Sequence, residues 1–183
     1  MTTQHISNKE YRGLVQEICR QITKDQWMPD YIVGITRGGL IPATMISHYL
    51  QKPLHCIKIS LREEQDTETN AWMPEDAFGY VDLSMRETYQ SRWDPQLRKK
   101  ILIVDDINDS GDTINWLMND WMTSCFPGQK QVWNSIWGHN VKFAVVVDNL
   151  ASKSNVKMSY VGKEIRKSDV DWIVFPYEEW WIK

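Results

Sequence analysis

Long apolar runs, an excess of basic charge and a regular cysteine framework are all missing from this chain of 183 residues. No stretch approaches the roughly 20 consecutive apolar residues that cross a bilayer, so no helical membrane span and no membrane partner are expected. The segment Met1–Gly13 carries neither the basic start nor the apolar middle of a secretory leader, which predicts a cytoplasmic protein. The cysteines are Cys19, Cys56 and Cys125, an odd number without metal-ligand spacing, as suits a reducing compartment. Lys and Arg number 21 against 24 Asp and Glu, a formal net charge of −3. A surface built to neutralise phosphates is usually basic, so no nucleic-acid partner is expected. Internal repeats, low-complexity tracts and Gly/Ser linkers are absent too.

What is present fits one domain over residues 1–183, large enough to bury roughly 70% of its unfolded surface. Hydrophobic residues make up 42% and charged residues 25%, the balance of a globular chain. Tryptophan is the oddity, with 10 copies. Packing in the core and at subunit interfaces accounts for most of them, and a stacking role needs an independent reason.

Hydrophobic periodicity predicts alternating strands and helices. Ser7 and Glu10 form a capping box ahead of Tyr11, Leu14, Val15, Ile18, Cys19 and Ile22, which predicts a helix over 7–24. Tyr31–Ile35, Leu54–Leu61, Ile101–Val104 and Val141–Val147 read as buried strands, with helices over Leu40–Leu50 and about Thr113–Met122. The tail from Met158 reads as short strands, and 123–140 has no pattern that places it. Residues 62–99 hold nine acidic against five basic residues and few apolar ones, the composition of a mobile functional excursion or a plain solvated one. The expected fold class is α/β, a mainly parallel twisted sheet flanked by helices.

In such sheets ligands bind where strands end and helices begin. The segment from Ile101 to Thr113 ends its strand in two adjacent acids, Asp105 and Asp106, and continues Ile107-Asn108-Asp109-Ser110-Gly111-Asp112-Thr113. A water-facing turn explains one capping acid. A carboxylate pair needs compensation, which vicinal hydroxyls or a hydrated cation supply. Backbone N–H groups from Asp109 to Thr113 at a helix start, with two hydroxyls, suit a phosphate. Diol and phosphate sites side by side describe a ribose 5-phosphate.

This pattern resembles the type I phosphoribosyltransferases, whose signature is an apolar strand, two acids and a D-[TS]-G-x-T loop. Residues Ile32–Pro42, with Thr36-Arg37-Gly38-Gly39-Leu40, look like the same family's pyrophosphate loop. Asp171–Glu178 resembles the W-I-x-x-P-[WY]-[DE] hood segment of its purine (xanthine–guanine and hypoxanthine) branch. The resemblance implies a core over about 28–150, a C-terminal hood over about 156–183, and a flexible loop within 62–99. It implies Mg²⁺-dependent transfer of a 5-phosphoribosyl group from phosphoribosyl pyrophosphate to a purine, by a homodimer or homotetramer. Thr36, Arg37, Gly38 and Gly39 would bind pyrophosphate, with a cis Thr36-Arg37 peptide. Asp105 and Asp106 would hold ribose hydroxyls and metal, and Glu178 a second metal through water. Ser110, Gly111, Asp112 and Thr113 form the 5-phosphate loop, and Asp109 would accept the purine proton, with Asp109 and Arg37 as the catalytic pair. Trp172 would stack on the base and Ile173 would read its edge.

Two departures from the family pattern stand out. The strand after the main motif ends in Asp148-Asn149, where purine enzymes carry a Lys that reads a 6-oxo group. Either Lys153 reaches in, or Asn149 replaces it, or the base is not an ordinary 6-oxopurine. Asp112 also puts a carboxylate inside the phosphate loop, its side chain expected to point outward. A non-catalytic sensor of phosphoribosyl pyrophosphate or a nucleotide is the alternative reading.

Overall fold

Ser7 starts the first helix as the capping box predicts: its Oγ accepts the Glu10 N–H at 3.2 Å. The computed structural model describes residues 3–61, 66–67, 72–82, 84, 92–166 and 172–181. Helix α1 (Asn8–Asp25) buries Tyr11, Val15, Ile18, Cys19 and Ile22 on one stripe and ends on Gln26 in the left-handed conformation. Strand β2 (Tyr31–Thr36) then runs into α2 (Leu40–Leu50), where Pro42 sits in the first turn and costs no helical hydrogen bond. Strands β3 (Leu54–Ser60), β5 (Ile101–Asn108), β6 (Val141–Asn149) and β7 (Tyr160–Ile165) complete the parallel part of a sheet. Its order is β4-β3-β2-β5-β6-β7, with the two-residue β4 (Asp66–Thr67) antiparallel at the edge.

Both faces of this sheet are covered, because its central strands carry unbroken apolar runs, Ile101–Val104 in β5 and Phe143–Val147 in β6, rather than alternating ones. Ile101 and Ile103 of β5 and Val141, Phe143 and Val145 of β6 face a core built with α3 (Trp72–Phe78), α4 (Asp112–Ser124) and α5 (Lys130–Asn134). Leu102, Val104, Ala144 and Val146 face the opposite core, closed by α1 and α2. Tryptophans fill the first layer: Trp121 and Trp133 are fully buried, and Trp133 stacks on Trp137 at 5.3 Å. The Trp133 indole N–H donates to the Cys125 carbonyl at 3.1 Å. This aromatic packing is what residues 123–140 contribute.

Part of the stretch 62–99 packs into the core: α3 buries Met73, Ala77 and Phe78, and Val81 is buried behind it. Seven residues give too few turns for a visible helical period. Residues 62–65, 68–71, 83 and 85–91 lie outside the described residues, and with them much of the stretch in which a flexible loop is expected. Within the segment expected to form a hood, β7 pairs with β6 in the main sheet, whereas β8 (Trp172–Val174) pairs in parallel with β1 (Thr3–His5) in a separate two-stranded sheet. The Ile6 N–H extends that pairing to the Val174 carbonyl at 3.0 Å.

Candidate functional site

Sheet order decides where a ligand can enter. From β2 the chain crosses by α2 to β3 on one side, and β5 lies on the other side and leads away through α4 to β6. The loops after β2 and β5 therefore diverge from adjacent strands and open a crevice between them. These are the two loops that the sequence singles out.

They meet closely. The Thr36-Arg37 peptide is cis, as the resemblance implied. Gly38 lies against the Asp106 carboxylate, so that a Cβ there would overlap Asp106 Oδ2 and Cγ. At Gly39 a Cβ would fall 2.5 Å from the Val104 carbonyl oxygen and 2.7 Å from the Asp105 Cα. Only glycines permit this approach. Thr36 is half-buried, its hydroxyl 3.4 Å from the Ile57 carbonyl, and Arg37 is exposed at the mouth.

The acid pair is held unequally. Asp105 is buried, and its Oδ1 accepts the Asp106 N–H at 2.9 Å. Burial, and then the neighbouring Asp106 charge, hold its carboxyl well above the usual carboxylate range. Asp106 is half-buried, with Oδ1 on the Ile107 N–H at 2.9 Å and Oδ2 accepting the Tyr177 hydroxyl at 2.9 Å. Tyr177 comes from the hood and stacks parallel to Phe175 at 5.5 Å, with Tyr11 edge-on at 5.6 Å. Burial, reinforced by the Asp106 charge, raises its phenol, so the hydroxyl stays a donor. The hood motif contains this tyrosine, but its spacing gave no reason to aim it at Asp106.

Beyond the acids, Gly111 caps α4 at φ 93°. A Cβ there would come 2.8 Å from the Ser154 Cα, so the 151–155 turn packs directly behind the loop. The N-terminus of α4 thus points from a glycine that cannot be replaced without moving that turn. The Ser110 hydroxyl is turned to Asp112, donating to Oδ2 at 2.7 Å and accepting the Asp112 N–H at 3.3 Å. Asp112 is exposed; Thr113 is half-buried at the helix start.

Asp109 is half-buried and meets the buried Asn149, whose Nδ2 donates to Asp109 Oδ1 and to the Asp109 carbonyl, each at 3.1 Å. Asn149 Oδ1 accepts the Ala151 N–H at 3.1 Å. Lys153 is exposed; its backbone N–H donates to the Ser110 carbonyl at 2.9 Å. In the hood Ile173 is buried and Trp172 is 51% exposed. Glu178 Oε2 accepts the Phe175 N–H at 2.7 Å, which ties this exposed acid to the hood turn.

Comparison with known proteins identifies the family. The phosphoribosyl transferase domain matches residues 2–180. Over 132 residues the chain is 26% identical to xanthine phosphoribosyltransferase 1 of Saccharomyces cerevisiae, covering 63% of this chain and 58%, less than two thirds, of that relative. Over 192 residues it is 23% identical to hypoxanthine-guanine phosphoribosyltransferase of Schizosaccharomyces pombe, covering 90% of this chain and 85% of the other. A purine phosphoribosyltransferase from Pyrococcus horikoshii has the same fold at TM-score 0.62 and 21% identity, over 98% of this chain and 96% of that one. With the family's domain matched from residue 2 to residue 180, the chain belongs to the phosphoribosyl transferase family.

Proposed function

We propose that this protein transfers the 5-phosphoribosyl group of phosphoribosyl pyrophosphate to a nitrogen of a 6-oxopurine (hypoxanthine, guanine or xanthine). The products are a nucleoside monophosphate and pyrophosphate. The observation that carries the reading is the contact of Gly38 with Asp106, which joins a pyrophosphate loop to a diol-binding acid pair. The names of the two yeast relatives favour a purine as acceptor.

Arg37 and the N–H groups of Thr36 to Gly39 bind pyrophosphate, and preorganised donors there stabilise the charge that develops as it leaves. Asp105 and Asp106 accept hydrogen bonds from the ribose hydroxyls. The N–H groups of Ser110 to Thr113 cradle the 5-phosphate, for which the Ser110 hydroxyl releases Asp112. The purine nitrogen bonds to the anomeric carbon as the carbon–oxygen bond breaks, its electron pair leaving with pyrophosphate. Asp109 takes the proton from the purine nitrogen. Trp172 stacks on the base while Ile173 offers its backbone to the base edge.

Two adjacent acids at the crevice have the oxygen-donor chemistry that a hydrated Mg²⁺ would need. Asp105 and Asp106 would hold it, and Glu178 could reach a second ion through water. Bound there, the metal neutralises pyrophosphate charge and orients the leaving group. The chain acts as one unit, in the cytoplasm, as a homodimer or homotetramer.

The test is pyrophosphate release from phosphoribosyl pyrophosphate with hypoxanthine, guanine, xanthine, adenine and orotate in turn, with Mg²⁺ and with chelator. Turnover with 6-oxopurines that chelator abolishes is expected. Turnover only with adenine or orotate reassigns the base. Binding of phosphoribosyl pyrophosphate without turnover on any base replaces the enzyme reading with that of a sensor.

A further inference from the structure

We propose that Asn149 positions Asp109: its side-chain amide clamps the proton-accepting carboxylate and does not read the base. The role given to Asp109 rests on the function proposed above; the clamp itself stands on geometry.

Asn149 is the last residue of β6 and is 3% exposed. A primary amide has one nitrogen with two N–H donors and one oxygen acceptor. Here the nitrogen faces two oxygens of one residue, Asp109 Oδ1 and the Asp109 carbonyl, both at 3.1 Å. The amide oxygen is engaged by the Ala151 N–H at 3.1 Å. Fixing the main chain and the carboxylate of Asp109 from the same planar group leaves its side-chain torsions little freedom.

Neighbouring bonds hold the clamp in register. Asn108 and Asp148 are opposite each other on β5 and β6, and Asn108 Nδ2 donates to Asp148 Oδ1 at 2.8 Å. Ser152 Oγ donates to Asn108 Oδ1 at 3.0 Å. The Lys153 N–H reaches the Ser110 carbonyl at 2.9 Å, and Asn115 Nδ2 reaches the Lys153 carbonyl at 2.9 Å. The 149–153 turn is therefore stitched to the 108–115 loop along its length. A neutral amide suits this task, since it orients a carboxylate without adding a cation that would oppose protonation.

Kinetics separate positioning from base reading. Asn149→Ala should lower kcat about 10- to 100-fold, the range of a hydrogen bond to a charged group. The loss should be equal for hypoxanthine, guanine and xanthine, with KM for phosphoribosyl pyrophosphate unchanged. In an Asp109→Asn background the same change should cost less than about 3-fold, because the carboxylate it serves is gone. A shifted ratio of kcat/KM among the bases would mean that Asn149 reads the base. Losses that multiply in the double variant would mean a structural role only.

A second measurement needs neither turnover nor the Asn149 variant to fold. In ¹⁵N-labelled protein the Asn149 side-chain amide protons should exchange slowly, and Asp109→Ala should move their resonances. Fast exchange, or resonances indifferent to Asp109→Ala, overturns the clamp. Should the unmodified protein turn over no base, the proposed function fails while these resonances still decide the clamp.

Discussion

Replacing Gly38 with alanine separates ligand binding from folding. The added Cβ would overlap the Asp106 carboxylate, a side chain, whereas at Gly39 it would meet the Val104 carbonyl at 2.5 Å and the Asp105 Cα at 2.7 Å, which are backbone. Asp106 can swing away; β5 cannot. To move, Asp106 gives up one hydrogen bond from each oxygen, to the Ile107 N–H and the Tyr177 hydroxyl, both 2.9 Å. Hydrogen bonds to a charged acceptor contribute about 1.5–3 kcal/mol each, and Asp106 is half-buried, so water replaces part of the loss. About 2–3 kcal/mol remains as a cost to the fold, which should keep the thermal midpoint within about 10 °C of the parent. A displaced Asp106 no longer meets the ligand, so Gly38→Ala should also weaken calorimetric binding of phosphoribosyl pyrophosphate with Mg²⁺ by about 10- to 100-fold, the range of a lost hydrogen bond to a charged group. Gly39→Ala should lose folded protein instead. If Gly38→Ala binds within about 3-fold of the parent, the loops do not form one site and the reasoning is wrong.

Three further outcomes follow from the packing and the charges. Trp133→Ala removes a fully buried ring stacked on Trp137 and should cost about 3–5 kcal/mol, read from the urea midpoint. Gly13→Ala in α1 meets nothing within 4 Å and should stabilise by about 0.5–1 kcal/mol, raising the thermal midpoint a few degrees. Asp25 accepts from Lys142 Nζ and the Tyr160 hydroxyl, which hold its carboxyl below the usual range. A depressed carboxyl stabilises the fold above the ordinary carboxylate pKa, and that contribution is lost as pH falls through the folded value. Asp25→Asn should thus lower stability at pH 7 and leave it nearly unchanged near pH 2, by less than about 1 kcal/mol because the side chain is 46% exposed.

The link between Tyr177 and Asp106 gives the hood a physical connection to the acid pair. A segment from the chain's end, paired to a strand from its beginning, donates a hydrogen bond into the crevice. In the proposed reaction, the groups that cover the base and those that hold the ribose are thereby joined by one hydroxyl.

Local chemistry made much of this legible in advance. The capping serine of α1, the apolar runs of β2, β5 and β6, and the two glycine-bearing loops carry their meaning within a dozen residues. The unbroken apolar run Ile101–Val104 of β5 also announces a strand covered on both faces. What spacing could not supply are pairings between distant segments. Asn149 lies 40 residues from Asp109, and Tyr177 lies 71 from Asp106. β1 is three polar-leaning residues with no period to read, and it is a strand only because β8 lies beside it. α3 owes its helix to burial of Met73, Ala77 and Phe78 rather than to a pattern seven residues long. The chain therefore specifies its elements and the chemistry of its loops through short-range propensity. The meeting of the β2 and β5 loops, the contact of Asn149 with Asp109 and the pairing of β8 with β1 were decided by strand order and packing, which sum many weak contacts across long separations.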